Sequence, residues 1–308
     1  MKIISDKDVI ILKKTIKKLI AVCAFFSLCM PLSSCSEMSE QMKVTVYDVG
    51  KADSILMQTD NHTVLIDCGT KKKGDNIVRY LEEQGIDTID SLIITHYDQD
   101  HVGGVPDIMK NLNVNNIYMP DYEGYNKEYK KFIESLDKND FEPETMKKDA
   151  SFTYDGIKFS VLVPRKDTYG EPGEEVDNDY SLITTVKYEN TSFLFTGDAM
   201  KERLDEVMNI GHYDVLKVPY HGRKIGNLDD FLDEVSPKYA VVSTNKQELS
   251  KQTYDELLER NIESYFTFAN GDVVFTSDGT NITVETEKNK PVVFDDPSAD
   301  TNNEETAG

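Results

Sequence analysis

The sequence predicts an α/β (α+β) protein in which two mixed sheets pack together with helices outside. Three observations carry this. The N-terminal part is a meander of short apolar runs joined by turns, the pattern of hairpin-paired strands. From residue 182 onward, strand-like and helix-like segments alternate, as in a helix-covered sheet. Three apolar runs also end abruptly in Asp or His: Leu92-Ile93-Ile94 before His96, Phe193-Leu194-Phe195 before Asp198, and Val215-Leu216 before Tyr220-His221-Gly222. In α/β sheets, functional groups gather at the carboxyl ends of strands.

Taken in order, residues 43–49, 54–58 and 63–67 read as strands, with Asp60-Asn61-His62 as a hairpin turn. Residues 75–85 read as a helix, because Ile77, Tyr80 and Leu81 share a face and Gly85 stops it. A strand at 92–95 follows, and Pro106 opens a short helix at a position where proline is tolerated. Next come a strand at 116–119, an exposed Lys/Glu-rich helix over 125–136, and strands at 151–154 and 157–163. Residues 165–178 form a long polar loop, and loops of that length in compact domains are functional or disordered. Strands at 182–188 and 192–196, a helix at 200–209 and a strand at 215–218 come next. A helix at 228–235, a strand at 239–243 and a helix at 252–261 continue the alternation. Short strands at 264–268, 273–275 and 282–285 close it, and residues 288–308 read as an acidic disordered tail.

A hydrophobic content of 39% is enough for a sizeable buried core. The net charge of -22 repels phosphate backbones at long range, so no extended surface for duplex nucleic acid is expected. A small anionic substrate or a single strand remains compatible, provided metals supply local positive charge.

The first 34 residues are different material. Lys13, Lys14, Lys17 and Lys18 precede an apolar stretch over 19–32, shorter than the roughly 20 residues of a membrane span. Positive, then apolar, then small residues make an export signal. Its ending, Leu32-Ser33-Ser34-Cys35, is similar to the bacterial lipobox, which implies cleavage before Cys35 and lipidation of its thiol. A simple signal peptide is the alternative. The expected organisation is therefore a signal over 1–34, a lipidated tether over 35–42 and a domain over 43–287. The expected place is the bacterial cell envelope, outside the cytoplasm, held to the membrane by the lipid alone. Cys23 and Cys29 leave with the signal, so only Cys68 remains as a free thiol and no disulfide can form within the domain.

The chemistry is concentrated in Ser91–Gly104, SLIITHYDQDHVGG. His96, Asp98, Asp100 and His101 fall within six residues of one another in a chain with five histidines. Imidazole and carboxylate are the usual ligands of a divalent metal. Two downstream strand ends, at Asp198 and His221, can converge on the same point.

At this level the chain resembles the metallo-β-lactamase fold, and within it the hydrolase domain of ComEC-type competence proteins. The residues that carry the resemblance are Tyr47–Asp53, Leu65–Gly69, Thr95–Gly104, Asn178–Ser181, Phe195–Asp198 and Leu216–Gly222. It implies a four-layer αββα sandwich with a two-metal cleft, loaded with Zn²⁺ or Mn²⁺. It further implies His96 and Asp98 on one ion, Asp100, His101 and His221 on the other, and Asp198 bridging, so that catalysis centres on Asp100 and Asp198. Asp179, or its neighbour Asn178, lies near where a third histidine sits in the family; a strand-capping turn is the other reading of Asp179. Asp48 and Asp67 are expected to orient ligands. Asp98 stands where the general fold has histidine, Tyr220 where the first histidine of His-His-Gly is frequent, and Arg223 where serine is usual. Tyr220, Arg223 and Lys224 are candidates for holding an anionic substrate, although loop charges of no special role are common.

Two cations a few ångströms apart lower the pKa of a shared water and polarise the group it attacks. The resulting expectation is a lipid-anchored dinuclear hydrolase of phosphodiesters. Hydrolysis of another ester or amide, such as a lactone, thioester or lactam, is the alternative, and a metal-binding surface lipoprotein with little activity is a third.

Overall fold

The alternation of apolar residues along the strands sorts the core into three clusters, and three clusters define four layers. The computed structural model describes residues 41–166, 169 and 174–294. The signal segment, Cys35 and most of the tether lie outside the described residues, as does the tail beyond 294. The chain divides after Ser39, and everything below belongs to the unit over 40–308.

The first half lays down β1 (Met42–Val46), β2 (Ile55–Gln58), β3 (Thr63–Ile66), α1 (Lys71–Glu83), β4 (Thr88–Ile89) and β5 (Ser91–Ile93). Then come α2 (Gln99–Val102), α3 (Val105–Asn111), β6 (Asn113–Val114), β7 (Ile117–Pro120), α4 (Lys127–Lys138) and β8 (Glu144–Met146). The second sheet begins with β9 (Ala150–Tyr154) and β10 (Ile157–Leu162), followed by α5 (Glu174–Asp179), β11 (Ile183–Tyr188), β12 (Thr191–Phe195) and α6 (Lys201–Glu206). It continues through β13 (Val215–Lys217), α7 (Leu228–Val235), β14 (Tyr239–Val242), α8 (Lys251–Glu259) and β15 (Glu263–Phe266). After α9 (Thr267–Asn270), β16 (Val273–Ser277) and β17 (Ile282–Thr286) return to the first sheet.

The eight-stranded sheet runs β17-β16-β1-β2-β3-β5-β7-β8 and the seven-stranded sheet β15-β14-β13-β12-β11-β10-β9. The meander β1-β2-β3 is antiparallel, whereas β3-β5-β7-β8 and β12-β13-β14-β15 are parallel, as helical crossovers require. Along β2, Ile55 and Met57 face the other sheet while Leu56 faces the helices; along β12, Phe193 and Phe195 face inward and Leu194 outward. This period of two puts one cluster between the sheets, a second under α1, α3 and α4, and a third under α7 and α8. The result is the αββα sandwich.

Several boundaries differ from the sequence reading. Helix α1 starts at Lys71 rather than residue 75, because its first turn is polar and exposed and carries no apolar signal. Gly74, in that turn, gives room to the Asp107 side chain of α3. Part of the expected long polar loop is helical, as α5. Helix α4 is not exposed all round: Phe132, Ser135 and Leu136 are buried, and the Ser135 hydroxyl donates to the Phe132 carbonyl. The domain also extends past residue 287. Lys288 N and Lys290 N donate to the Asn270 and Ala269 carbonyls, and Phe294 packs edge-on to Tyr254, so residues 288–294 belong to the folded unit.

Candidate metal centre

Four strand ends open onto one cleft. β3 delivers Asp67, β5 the run from Thr95 to His101, β12 Asp198 and β13 His221. The β1–β2 connection, in the same sheet as β3 and β5, adds Asp53.

Two glycines explain how the metal-binding loop is held. A Cβ on Gly104 would collide with the Cys68 carbonyl oxygen, and one on Gly103 with the Gln99 carbonyl and the Lys71 amide. Only glycine lets α2 approach the start of α1 so closely, with Cys68 N donating to the His101 carbonyl at 2.8 Å. At the other strand end, Tyr220, His221 and Gly222 all have positive φ, at 51°, 52° and 73°. Two adjacent non-glycine residues in that region store strain, which is typical of side chains aimed for function.

The donor atoms converge. His101 Nε2 lies 3.2 Å from His221 Nε2 and 3.5 Å from Asp198 Oδ2. His221 Nε2 lies 3.0 Å from Asp198 Oδ2 and 3.5 Å from Asp100 Oδ2. Metal–ligand bonds of 2.0–2.1 Å in a tetrahedron place neighbouring donors about 3.3 Å apart. His221 Nε2 thus lies within 3.5 Å of donors from His101, Asp198 and Asp100, spacings that suit ligands of a shared divalent ion.

The outer nitrogens of these imidazoles are already engaged. His101 Nδ1 donates to Asp67 Oδ2 at 2.7 Å, and His221 Nδ1 to the Ser243 carbonyl at 2.7 Å. Such partners fix the tautomer and leave Nε2 as the free lone pair. His96 follows the same logic one step removed. The Thr95 hydroxyl donates to Asp67 Oδ2 at 2.7 Å, so it accepts from His96 Nδ1 at 3.0 Å. His96 Nε2 is then left buried with no hydrogen-bond partner, 3.7 Å from Asp98 Oδ2. A buried unpartnered imidazole nitrogen fits a ligand position. The Asn178 Oδ1 atom is likewise buried and unpartnered, and Asn178 lines the same cleft as Asp98, Asp100 and Asp198.

The electrostatics ask for cations. Burial alone would lower the His101 pKa, but Asp198 and Asp67 raise it well above the ordinary value; Asp198 and Asp100 likewise raise that of His221. Burial would raise the Asp198 and Asp100 carboxyls, yet the two imidazoles, with Lys217 and Lys51 respectively, hold both below the usual carboxylate range. Four buried carboxylates (Asp53, Asp67, Asp100 and Asp198) face one buried ammonium, Lys217, and one partly exposed, Lys51, whose Nζ is 2.7 Å from Asp100 Oδ2. The site is short of positive charge, which protons on histidine or divalent ions can supply.

Three sequence expectations are corrected. Asp179 does not point at the cleft: its Oδ1 accepts the Met200 and Arg203 amides at 3.1 Å each, capping the start of α6, and Asn178 takes the cleft position. Asp48 does not support a ligand; its carboxylate faces Lys288 at 3.6 Å. Lys224 is exposed and does not line the cleft, while Arg223 does but is tied to Glu248 and to the Tyr220 hydroxyl. The cleft, about 460 Å³, is also lined by Lys51, Lys127 and Tyr220.

Sequence reasoning missed Asp53 and Lys217. Lys217 Nζ lies 2.5 Å from Asp53 Oδ2, 2.8 Å from the Gly197 carbonyl and 3.4 Å from Asp198 Oδ1. The signal was present: Lys217 sits two residues after Val215, which faces the inter-sheet core, so alternation alone buries it. A buried ammonium demands a buried carboxylate.

The model of the metallo-beta-lactamase superfamily matches residues 47–245. The chain is 28% identical over 245 residues to ComE operon protein 3 of Bacillus subtilis, covering 72% of this chain and 31% of that protein. It is 27% identical over 224 residues to Recombination protein 2 of Haemophilus influenzae, covering 71% and 26% respectively. Competence protein ComA of Neisseria gonorrhoeae is 30% identical over 208 residues, covering 65% and 27%. The chain thus spans about a third or less of these relatives' length. Among solved structures, the metallo-beta-lactamase fold protein YhfI from Bacillus subtilis covers 73% of this chain and 95% of its own at a TM-score of 0.48 and 12% identity. The domain is similar to part of these competence proteins, and the chain belongs to the metallo-β-lactamase superfamily.

Proposed function

We propose that this protein is a lipid-anchored, extracytoplasmic hydrolase that uses two divalent ions to cleave phosphodiesters. The observation that carries the reading is the donor geometry: His101, Asp198 and Asp100 all within 3.5 Å of His221 Nε2, beside an unpartnered His96 Nε2. His96, grouped with Asp198, is a donor beyond that cluster and favours a second ion that shares Asp198 rather than His101, whose single free Nε2 holds one ion. Asp98 and the Asn178 carbonyl oxygen complete the His96 side. The bound ions would supply a nucleophile at neutral pH and polarise the scissile group.

The chain's own residues do the rest. Asp67 and the Ser243 carbonyl fix the His101 and His221 rings. Lys217 holds Asp198 by its Oδ1, leaving Oδ2 toward the imidazoles. Lys51 and Arg223 line the cleft, each paired with a carboxylate, so that bound ions would add net positive charge there, which suits an anionic substrate. Anchoring rests on the Leu-Ser-Ser-Cys ending at Cys35.

The test is hydrolysis of bis(p-nitrophenyl) phosphate by the domain reconstituted with Mn²⁺ or Zn²⁺, set beside a lactam and a thioester. The reading expects phosphodiester hydrolysis that falls at least about 100-fold in Asp198→Ala. Turnover of the lactam or thioester alone would replace it with the other ester or amide chemistry.

A further inference from the structure

The metal cleft continues into a second cavity. Gln99, Lys127 and Glu128 line both, and the second, about 600 Å³, is otherwise bounded by Thr70, Lys71, Lys72 and Lys131. Four lysines and one glutamate surround it, the aliphatic stems forming most of the wall, a local excess of positive residues in a chain of net charge -22. Glu128 is nearly buried and lies 3.7 Å from both Lys127 and Lys131, too far to neutralise either tightly. Among the described residues, no ion pair is formed by Lys71 or Lys72.

The backbone on both sides of this cavity is tied to the metal-binding loop. Gly103 brings the Lys71 backbone against α2, so the start of α1 cannot drift from Asp100 and His101. On the other side, the Asn126 side chain caps α4 by accepting the Tyr129 amide at 2.8 Å and donates to the Tyr97 carbonyl at 2.7 Å. Tyr97 lies between His96 and Asp98, so α4 starts from the metal loop itself. Lys127 and Lys131 are one turn apart on α4 and share a face.

We propose that this lysine-walled pocket binds a second phosphate of the substrate, one unit along from the phosphoester held in the metal cleft. The proposal rests on the phosphodiesterase reading above. A site for one extra phosphate reconciles an acidic surface with a polyphosphorylated substrate, because attraction is confined to the two adjoining cavities. The second phosphate could belong to a nucleotide backbone or to a bare polyphosphate chain.

The experiment is fluorescence anisotropy of labelled trithymidylate on the whole domain, with and without metal, across salt concentrations. In Lys71→Glu/Lys131→Glu, the Kd is expected to rise about ten-fold or more, and the slope of log K against log salt to become shallower by about 1. Lys147→Glu/Lys148→Glu, with the same charge change away from both cavities, is expected to keep the wild-type Kd. The thermal midpoint and metal content of each variant confirm that the fold is intact. Displacement of the label by unlabelled trithymidylate but not by tripolyphosphate assigns the second phosphate to a nucleotide backbone; equal displacement by both assigns it to a polyphosphate chain. An unchanged Kd and salt slope in the folded Lys71→Glu/Lys131→Glu protein would overturn the pocket. Wild-type protein that binds trithymidylate through these lysines yet leaves bis(p-nitrophenyl) phosphate intact would instead overturn the phosphodiesterase reading.

Discussion

Lys217 places its ammonium 2.5 Å from the Asp53 carboxylate, with both side chains fully buried beneath the metal cleft. The same nitrogen reaches Asp198 Oδ1 at 3.4 Å. Burial by itself would lower the Lys217 pKa, but Asp53 and Asp198 raise it, so the lysine stays charged. Removing one member of a buried pair leaves an uncompensated charge. Lys217→Met is therefore expected to destabilise the fold by about 3–5 kcal/mol. The double variant Lys217→Met/Asp53→Asn should lose less than the sum of the two single variants. Urea denaturation of the four proteins reads this directly, and simple additivity would break the pairing.

Asp67 acts through two partners, taking hydrogen bonds from His101 Nδ1 and the Thr95 hydroxyl. Asp67→Asn is expected to weaken metal affinity about 10–100-fold while the fold persists, since the ligand loses its orienting carboxylate. Competition with a chromophoric chelator measures the change. Unaltered affinity would mean that the imidazole orientation is set elsewhere.

The pH dependence of the metal-free protein has a definite sign. His101 and His221 have pKa values raised by Asp198 and its neighbours, although burial opposes the shift. The stability they contribute is fully present below the unfolded histidine value, about 6.5, and is lost as pH rises through the raised folded values. Asp100 and Asp198 are depressed, so their contribution is lost only in acid, below about 4. Metal-free protein should accordingly melt lower at alkaline pH than at pH near 6, and the gain in melting temperature on adding metal should grow with pH. A metal-free protein that becomes more stable at alkaline pH would contradict this.

Gly104 should not tolerate a side chain. A methyl group there meets the Cys68 carbonyl, so Gly104→Ala must push α2 away from the start of α1. The expected loss is about 1–3 kcal/mol, with weaker metal binding because Asp100 and His101 ride on α2. Thermal unfolding and metal content check it together, and wild-type values for both would show that the contact yields.

Much of the fold was legible because the strands carry it. Period-two alternation in β2, β12 and β13 assigns faces without tertiary information, and the ligands lie at the ends of β5, β12 and β13. What the sequence hides is direction. Asn178 and Asp179 are adjacent and chemically similar, and only the position of α6 decides that Asp179 caps a helix while Asn178 faces the cleft. Asp48 and Asp53 both lie in the β1–β2 connection, and the approach of Lys217 from the second sheet selects Asp53. The start of α1 was invisible for another reason, since its first turn faces solvent and obeys no apolar period.

The most direct test of the central claim is the metal content of the purified domain after reconstitution with Mn²⁺ or Zn²⁺ and removal of free metal. The account predicts about two ions per chain in the wild type and fewer than one in Asp198→Ala. A wild-type domain that emerges folded and metal-free would contradict it.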